Sequence, residues 1–535
     1  MKTNNLKKRV LAIASALAIT TTALVAIPTA ANASSVCSTK STVYADEYVT
    51  YNECVGVTSD GAQYVIQVPI LFDGTLFLFS HGYRYPIDIP ASIPVVGGYK
   101  VGKTPEPAPS GGSAAGVSRN AIAMLAAGYA TAGSGFTRKG WNADAAVATN
   151  AELIKLARKE FPEIKRVVAW GESLGAFITQ GLAEKYPKLV KAAGLLCPAT
   201  GSVQGELQMA GDALWGLKAF FDPTIKGGDY KSILEVYSDI GKVLTVAGSL
   251  SAAFAANPIA PAWPATSAAP AAIKAIPSRS ALVLVAAMSG VATQSPSFDG
   301  ATGPGAPSSQ TAIQFAAALS PAFGSLENIA SAAILGVIAT YDIEQQVGGP
   351  IYDNSNTDYA AQLGDAQFEY SSALSGLDAT QGLLTYLKAF PRAKANSMAV
   401  GKMRQLLSHK GKFNVPTVGV AAVADNVTPA GNLQWLVDKA AKKKSKNLLA
   451  LWQLTPDSYT KFSATGSPVT QSGTNGTGHC NATSGQLLAI AKMLDQSARS
   501  GKLVSASQVK KSVAAVGGLT YDPTYGAPLL KFYQK

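Results

Sequence analysis

The sequence predicts an α/β protein: a doubly wound, mostly parallel sheet interrupted by a large, mainly helical insertion. Three observations carry this. Strand-like apolar runs alternate with amphipathic helical runs from about residue 118 to residue 197, the rhythm of βαβ units. The apolar strand Arg166–Trp170 runs straight into Gly171-Glu172-Ser173-Leu174-Gly175, and an apolar-periodic helix follows. After Pro198 the rhythm gives way to an Ala-rich, Pro-punctuated stretch of helical pattern, and a strand-like run at Val415–Ala424 resumes it.

Taken in order, the chain of 535 residues begins with a secretory signal. Lys2, Lys7, Lys8 and Arg9 form a charged n-region, an apolar stretch runs from Val10 to Ile27, and Ala31-Asn32-Ala33 is a small-residue cleavage site. The apolar stretch approaches spanning length, but Thr20-Thr21-Thr22 and the Ala-x-Ala site favour cleavage near Ala33 over an anchor. The mature chain is expected to be secreted or held at the cell envelope. Residues 34–198 and 413–535 are expected to form the two parts of the sheet domain, with 199–412 as a helical cap inserted between them.

Residues 41–80 read as antiparallel strands, with Asp60-Gly61 as a hairpin turn and the strand Leu76–Phe79 after Asp73-Gly74. A Gly/Pro/Ser-rich loop occupies about 86–116. Helices are expected at Ser118–Ala127, Ala143–Phe161 and Leu174–Lys185, with strands at Tyr129–Ala132, Arg166–Trp170 and Lys191–Cys197. The insertion carries apolar runs at Val243–Ala262, Ser280–Ala292 and Ile329–Thr340, each broken by Pro, Gly or Ser before it reaches the length of a membrane span.

The net charge of +12 includes four basic residues of the signal segment, and the remaining Lys and Arg are scattered apart from the run Lys439–Lys446. No basic patch interleaved with aromatics speaks for nucleic acid. Four cysteines in an exported chain imply disulfides with three possible pairings. Cys37 with Cys54 would staple the N-terminal strands, and Cys197 with Cys480 would join two loops near the sheet edge where Ser173 lies. No metal-ligand spacing and no cofactor motif is present, so neither metal nor cofactor is expected.

A nucleophilic serine in a Gly-x-Ser-x-Gly elbow needs an acid and a base. Asp425, in Asp425-Asn426-Val427-Thr428-Pro429, ends the late strand and sits where a triad carboxylate belongs, though an Asx turn capping the next helix explains it equally. The chain has three histidines. His409 lies in a basic, polar helix end and reads as solvated or helix-capping. His479 lies in the Gly/Asn-rich loop 473–481 before a helix at about Thr483–Gln496, follows Asp425 in the chain, and is the candidate base. His81 belongs to His81-Gly82-Tyr83 at the end of the strand Leu76–Ser80.

These motifs resemble the α/β-hydrolase superfamily over residues 41–198 and 413–500. The resemblance implies that His81 and Gly82 shape the turn after an early central strand. The backbone N–H groups of Tyr83 and Leu174 would then form an oxyanion hole, with Gly171 and Gly175 giving the elbow its close approach. The His479-Cys480 pair is similar to that of tannase and feruloyl-esterase-like hydrolases, in which this cysteine bonds one just before the serine. Here Glu172 precedes Ser173, and Cys197 stands as the replacement partner. The resemblance therefore implies a lipase-like serine esterase acting on small or polymeric esters with an apolar or aromatic acyl part. Two readings compete with it. A capped exopeptidase would need cap carboxylates such as Glu206, Asp212 or Glu327 to grip the substrate amine. A non-catalytic binding protein on the same scaffold would not need all of Ser173, Asp425 and His479. The loop Gly133–Trp141 either borders the pocket or packs Trp141 as a helix-entry staple.

Overall fold

The computed structural model describes residues 35–93, 98–111, 116–304, 315–464, 468–469 and 476–528. The expected signal segment and its cleavage site at Ala33 lie outside them. The strands and helices of the first part are β1 (Val36–Tyr44), β2 (Glu47–Val57), β3 (Gln63–Pro69), β4 (Thr75–Ser80), α1 (Gly116–Ala126), β5 (Ala130–Ser134), α2 (Ala143–Glu160), β6 (Arg166–Glu172), α3 (Leu174–Lys185) and β7 (Ala192–Leu196). The insertion then contributes α4 (Val203–Phe220), α5 (Ile233–Ala256), α6 (Ala271–Lys274), α7 (Ser278–Ser289), α8 (Ser320–Val347), α9 (Tyr359–Leu363), α10 (Ala366–Glu369), α11 (Leu377–Ala389) and α12 (Ser397–Met403). The sheet resumes with β8 (Thr417–Ala422), α13 (Gly431–Lys442), β9 (Leu448–Gln453), a two-residue pair β10 (Lys461–Phe462) and β11 (Pro468–Val469), α14 (Ser484–Ser500) and α15 (Ala506–Val516).

Nine strands form one sheet in the order β1-β2-β3-β5-β4-β6-β7-β8-β9. The first four in that row pair antiparallel. From β5 through β9 every pair is parallel, with β5 and β4 exchanging places. Parallel strands are covered on both faces, and their side chains sort by the two-residue period. Leu76, Leu78, Val167 and Ala169 point into the core under α2 and α3. Phe77, Phe79, Val168 and Trp170 point into the opposite core under α14 and α15. Strand β9 was not anticipated from the sequence. Its edge is covered by a later segment, because Trp452 and Thr520 exchange both backbone hydrogen bonds.

The insertion leaves and rejoins the sheet domain at one place. Ser202 and Ser408 form an antiparallel bridge, and His409 N–H donates to Gly201 O at 2.8 Å. His409 is the clasp. Its Nδ1 accepts from Gly201 N–H at 3.2 Å and its Nε2 donates to Phe177 O at 2.8 Å. The ring lies 3.9 Å from that of Phe177 in a tilted contact, and burial pushes its pKa down to about 4. The expectation of a solvated histidine is corrected here. The basic residues Lys410 and Lys412 beside His409 face solvent, while the imidazole itself is buried where the insertion rejoins the sheet.

Above the neck, α4, α5, α7 and α8 enclose one apolar core, which also takes in Tyr85 and Ile89 from the loop after β4. Helices α5 and α8 are long and apolar enough to cross a membrane, and both contribute residues to that core. Both disulfides are present, Cys37–Cys54 across β1 and β2 and Cys197–Cys480 between two loops.

Candidate active site

Ser173 stands between β6 and α3 with φ 57° and ψ −122°, a conformation that L-residues adopt only where surrounding structure imposes it. Two close approaches impose it. A Cβ on Gly175 would lie 1.9 Å from Ser80 O, so α3 starts directly against the end of β4. A Cβ on Gly171 would lie 2.3 Å from Gly175 O. Ser173 N–H donates to Leu196 O at 3.0 Å, which ties the elbow to the end of β7.

Asp425 and His479 come together because the loops after β8 and β9 run side by side, with a bridge between Ala424 and Thr477. His479 Nδ1 lies 2.9 and 3.0 Å from the two oxygens of the buried Asp425 carboxylate. The same carboxylate accepts from Val427 N–H at 2.8 Å and Thr428 N–H at 2.9 Å. Asx turn and histidine partner were alternatives at the sequence level, and one carboxylate has both sets of contacts. Thr428 Oγ1 adds a bond to Asp425 and another to Cys197 O. The Cys197–Cys480 disulfide then joins the β7 end to the residue after His479.

Burial is the largest influence on His479 and works against its charge. The charge of Asp425 and its hydrogen bond, with smaller help from Glu172 and Glu206, outweigh burial and raise the imidazole above its ordinary range. With Nδ1–H bonded to Asp425, Nε2 keeps its lone pair. Nε2 lies 3.4 Å from Cys480 Sγ, and no hydrogen bond joins it to Ser173 Oγ. Cys197, Cys480 and His479 offer ligand atoms within 4.8 Å of one another, but both sulfurs are consumed in the disulfide.

The His81–Tyr83 turn packs on the elbow. A Cβ on Gly82 would meet Glu172 O and Ser173 Cβ, each at 3.3 Å. His81 is buried, its Nδ1 lies 2.7 Å from Gly82 O, and burial pushes its pKa down to about 3. Leu174 opens α3, where N–H groups have no intrahelical acceptor. Among the described residues neither Leu174 N–H nor Tyr83 N–H donates a hydrogen bond.

One feature was not found by sequence reasoning. Glu172, noted only for standing directly before Ser173, is buried and accepts from Ser110 N–H, Ser110 Oγ and Gly111 N–H at 2.9–3.2 Å. It pins the loop after residue 109 to the elbow. Trp141 is the staple, its ring 5.0 Å from Phe177 in an edge contact, while Arg138 of the same loop pairs with Asp342 on α8. Of the cap carboxylates, Asp212 is enclosed by Tyr352, Tyr359, Gln362 and Gln208, all donating to it. Glu206 accepts from Thr200 N–H and Asn432 Nδ2, and Glu327 from the Ser295 hydroxyl and Ser297 N–H.

No family model and no curated protein matches the sequence. Among solved structures the chain is similar to feruloyl esterase B from Aspergillus oryzae, at 10% identity over 86% of this chain and 82% of that one, TM-score 0.37. It is also similar to an esterase from Aspergillus oryzae (11%, 76% and 72%, TM-score 0.31). A third is the rice cell wall degrading esterase LipA from Xanthomonas oryzae (12%, 76% and 83%, TM-score 0.29). The nine-stranded, mostly parallel sheet with helices packed on it gives the chain an α/β fold with a helical insertion.

Proposed function

We propose that the protein is a secreted serine hydrolase that cleaves carboxylic esters through Ser173, His479 and Asp425. The observation that supports this most is the His479–Asp425 pair at 2.9 Å, carried on loops that the Cys197–Cys480 bond ties to the strand end beside Ser173. In the reaction His479 Nε2 takes the proton of Ser173 Oγ as the oxygen attacks the ester carbonyl. The hydrogen bond between the two is open here, and such bonds commonly tighten only in the substrate complex. The unpaired N–H groups of Tyr83 and Leu174 receive the oxyanion, each typically worth a few kcal/mol in the transition state. His479 then protonates the leaving alcohol, and water repeats the cycle on the acyl-enzyme. Asp425 keeps Nδ1 protonated and compensates the imidazolium charge. The expected substrate is an ester with an apolar or aromatic acyl part.

The test is labelling with a fluorophosphonate, followed by peptide mass spectrometry. Label on Ser173, lost in Ser173→Ala together with p-nitrophenyl ester hydrolysis, is the expected result. Hydrolysis that survives Ser173→Ala overturns the assignment.

A further inference from the structure

We propose that Asp342, on cap helix α8, is a positioning residue for the oxyanion hole: it fastens the cap to Tyr83 and so sets the Tyr83 backbone N–H over Ser173. The inference rests on the ester-hydrolase reading and assigns it a residue from the insertion, far from the motifs in sequence.

Asp342 is buried, its side chain 3% exposed, and its donors come from both loops that flank the elbow. Oδ2 accepts from the Tyr83 hydroxyl at 3.2 Å and from Trp141 N–H at 2.5 Å. Oδ1 accepts from Arg138 Nη2 at 2.8 Å and from Gln346 Nε2 at 3.2 Å. The backbone is shaped to admit the carboxylate. Gly140 has φ +76°, and a Cβ there would lie 2.2 Å from Asp342 Oδ2. Gly140 N–H donates to Arg84 O at 2.9 Å, so the loop after β5 and the loop after β4 form one unit around Asp342.

Tyr83 is held at three points in that unit. Its hydroxyl bonds Asp342, its carbonyl accepts from Arg84 Nη1 at 3.2 Å, and its ring packs against both the cap core and the sheet core. Arg84 is itself fixed by two bonds to Glu106 at 2.6 and 2.9 Å. The peptide between Gly82 and Tyr83 is held on its other side as well, since Gly82 O lies 2.7 Å from His81 Nδ1 and Gly82 packs against Glu172 O and Ser173 Cβ of the elbow. Asp342 supplies the cap's share of that anchoring. A cap that is not seated on Asp342 leaves the ring end of Tyr83 loose.

The test compares Tyr83→Phe, which removes only the hydroxyl, and Asp342→Asn with Asp212→Asn, which alters a buried cap carboxylate bonded within the insertion alone. Steady-state kinetics on a p-nitrophenyl ester are read with thermal stability and with inhibition by a trifluoromethyl ketone, which forms a hemiketal oxyanion on the serine. Misplacing a catalytic group by about 1 Å costs on the order of 100-fold. Tyr83→Phe and Asp342→Asn are therefore expected to lower kcat by about 10- to 100-fold with KM unchanged, and to weaken the ketone in the same proportion. Asp212→Asn is expected to lower stability with kcat retained. Unchanged kcat in Tyr83→Phe overturns the proposal, as does an equal loss of kcat in Asp212→Asn. If Asp342→Asn does not fold, Tyr83→Phe alone decides. Failure of the wild-type protein to take a fluorophosphonate on Ser173 sinks the ester-hydrolase reading instead, so the two failures are told apart.

Discussion

Gly175→Ala is the most direct probe of the elbow, because its consequence can be worked from distances alone. The added Cβ would sit 1.9 Å from Ser80 O, 2.6 Å from Ser80 C and 2.8 Å from His81 O. All three are backbone atoms at the end of β4, which cannot swing aside as a side chain would. The first contact is more than 1.5 Å inside the ~3.5 Å of ordinary van der Waals separation. Relief requires α3 to slide away from β4, and the first turn of α3 carries Ser173 and the Leu174 N–H with it. Overpacking of this kind costs about 1–3 kcal/mol of stability. A displacement near 1 Å at the nucleophile lowers turnover by about 100-fold. The assay pairs denaturant unfolding with single-turnover hydrolysis of a p-nitrophenyl ester, so that acylation is read apart from product release. Wild-type acylation at reduced stability would show that the helix relaxes without moving the serine, and the argument from close approach would fail. Unchanged stability would refute the contact itself.

Three further outcomes are expected. The acid limb of kcat/KM should have its midpoint above the ordinary histidine value, because His479 must lose a proton that Asp425 helps it keep; Asp425→Asn removes the larger part of that support, leaves burial opposed only by Glu172 and Glu206, and should move the limb to lower pH. A limb that ignores Asp425→Asn would remove His479 from the base role, since burial holds His81 near 3 and His409 near 4. His409→Ala should cost about 1–3 kcal/mol through the orphaned Gly201 and Phe177 groups while sparing turnover, whereas His479→Ala should abolish turnover; the reverse pattern in ester kinetics would exchange their roles. Replacing Cys197 and Cys480 together by serine opens a link across 283 residues and should cost about 2–5 kcal/mol, with loss of turnover as the His479 loop loosens. Replacing Cys37, on the exposed edge strand β1, and Cys54, its buried partner on β2, should leave turnover intact in the same assay.

Much of the sheet domain was legible because its elements announce themselves locally. Helix α3 begins and ends where the apolar period and the elbow glycines place it, at Leu174 and Lys185. The Asp60-Gly61 turn separates β2 from β3 as its chemistry predicts. The short strand β9 escaped notice because Leu448–Gln453 reads as one more apolar run after the lysines of α13. His409 was misread for a related reason. Its sequence neighbours are basic and polar, but the contacts that bury it come from Phe177 and Gly201, more than 200 positions away in the chain.

What the amino-acid order determined by itself is a set of local placements: a serine on a strand–helix turn, an aspartate after a late strand, a histidine in a loop after that, and a His-Gly turn after an early strand. These depend on strand–turn–helix patterns and on the residues' own reactivity, which are local properties. Tertiary structure alone decided which partners each group has. It set Asp425 against His479, used His409 to close the neck of the insertion, and brought Asp342 of the cap onto Tyr83. The physical reason is that a buried polar group takes whatever donor or acceptor the packed chain brings within about 3 Å, and sequence separation carries no information about that distance.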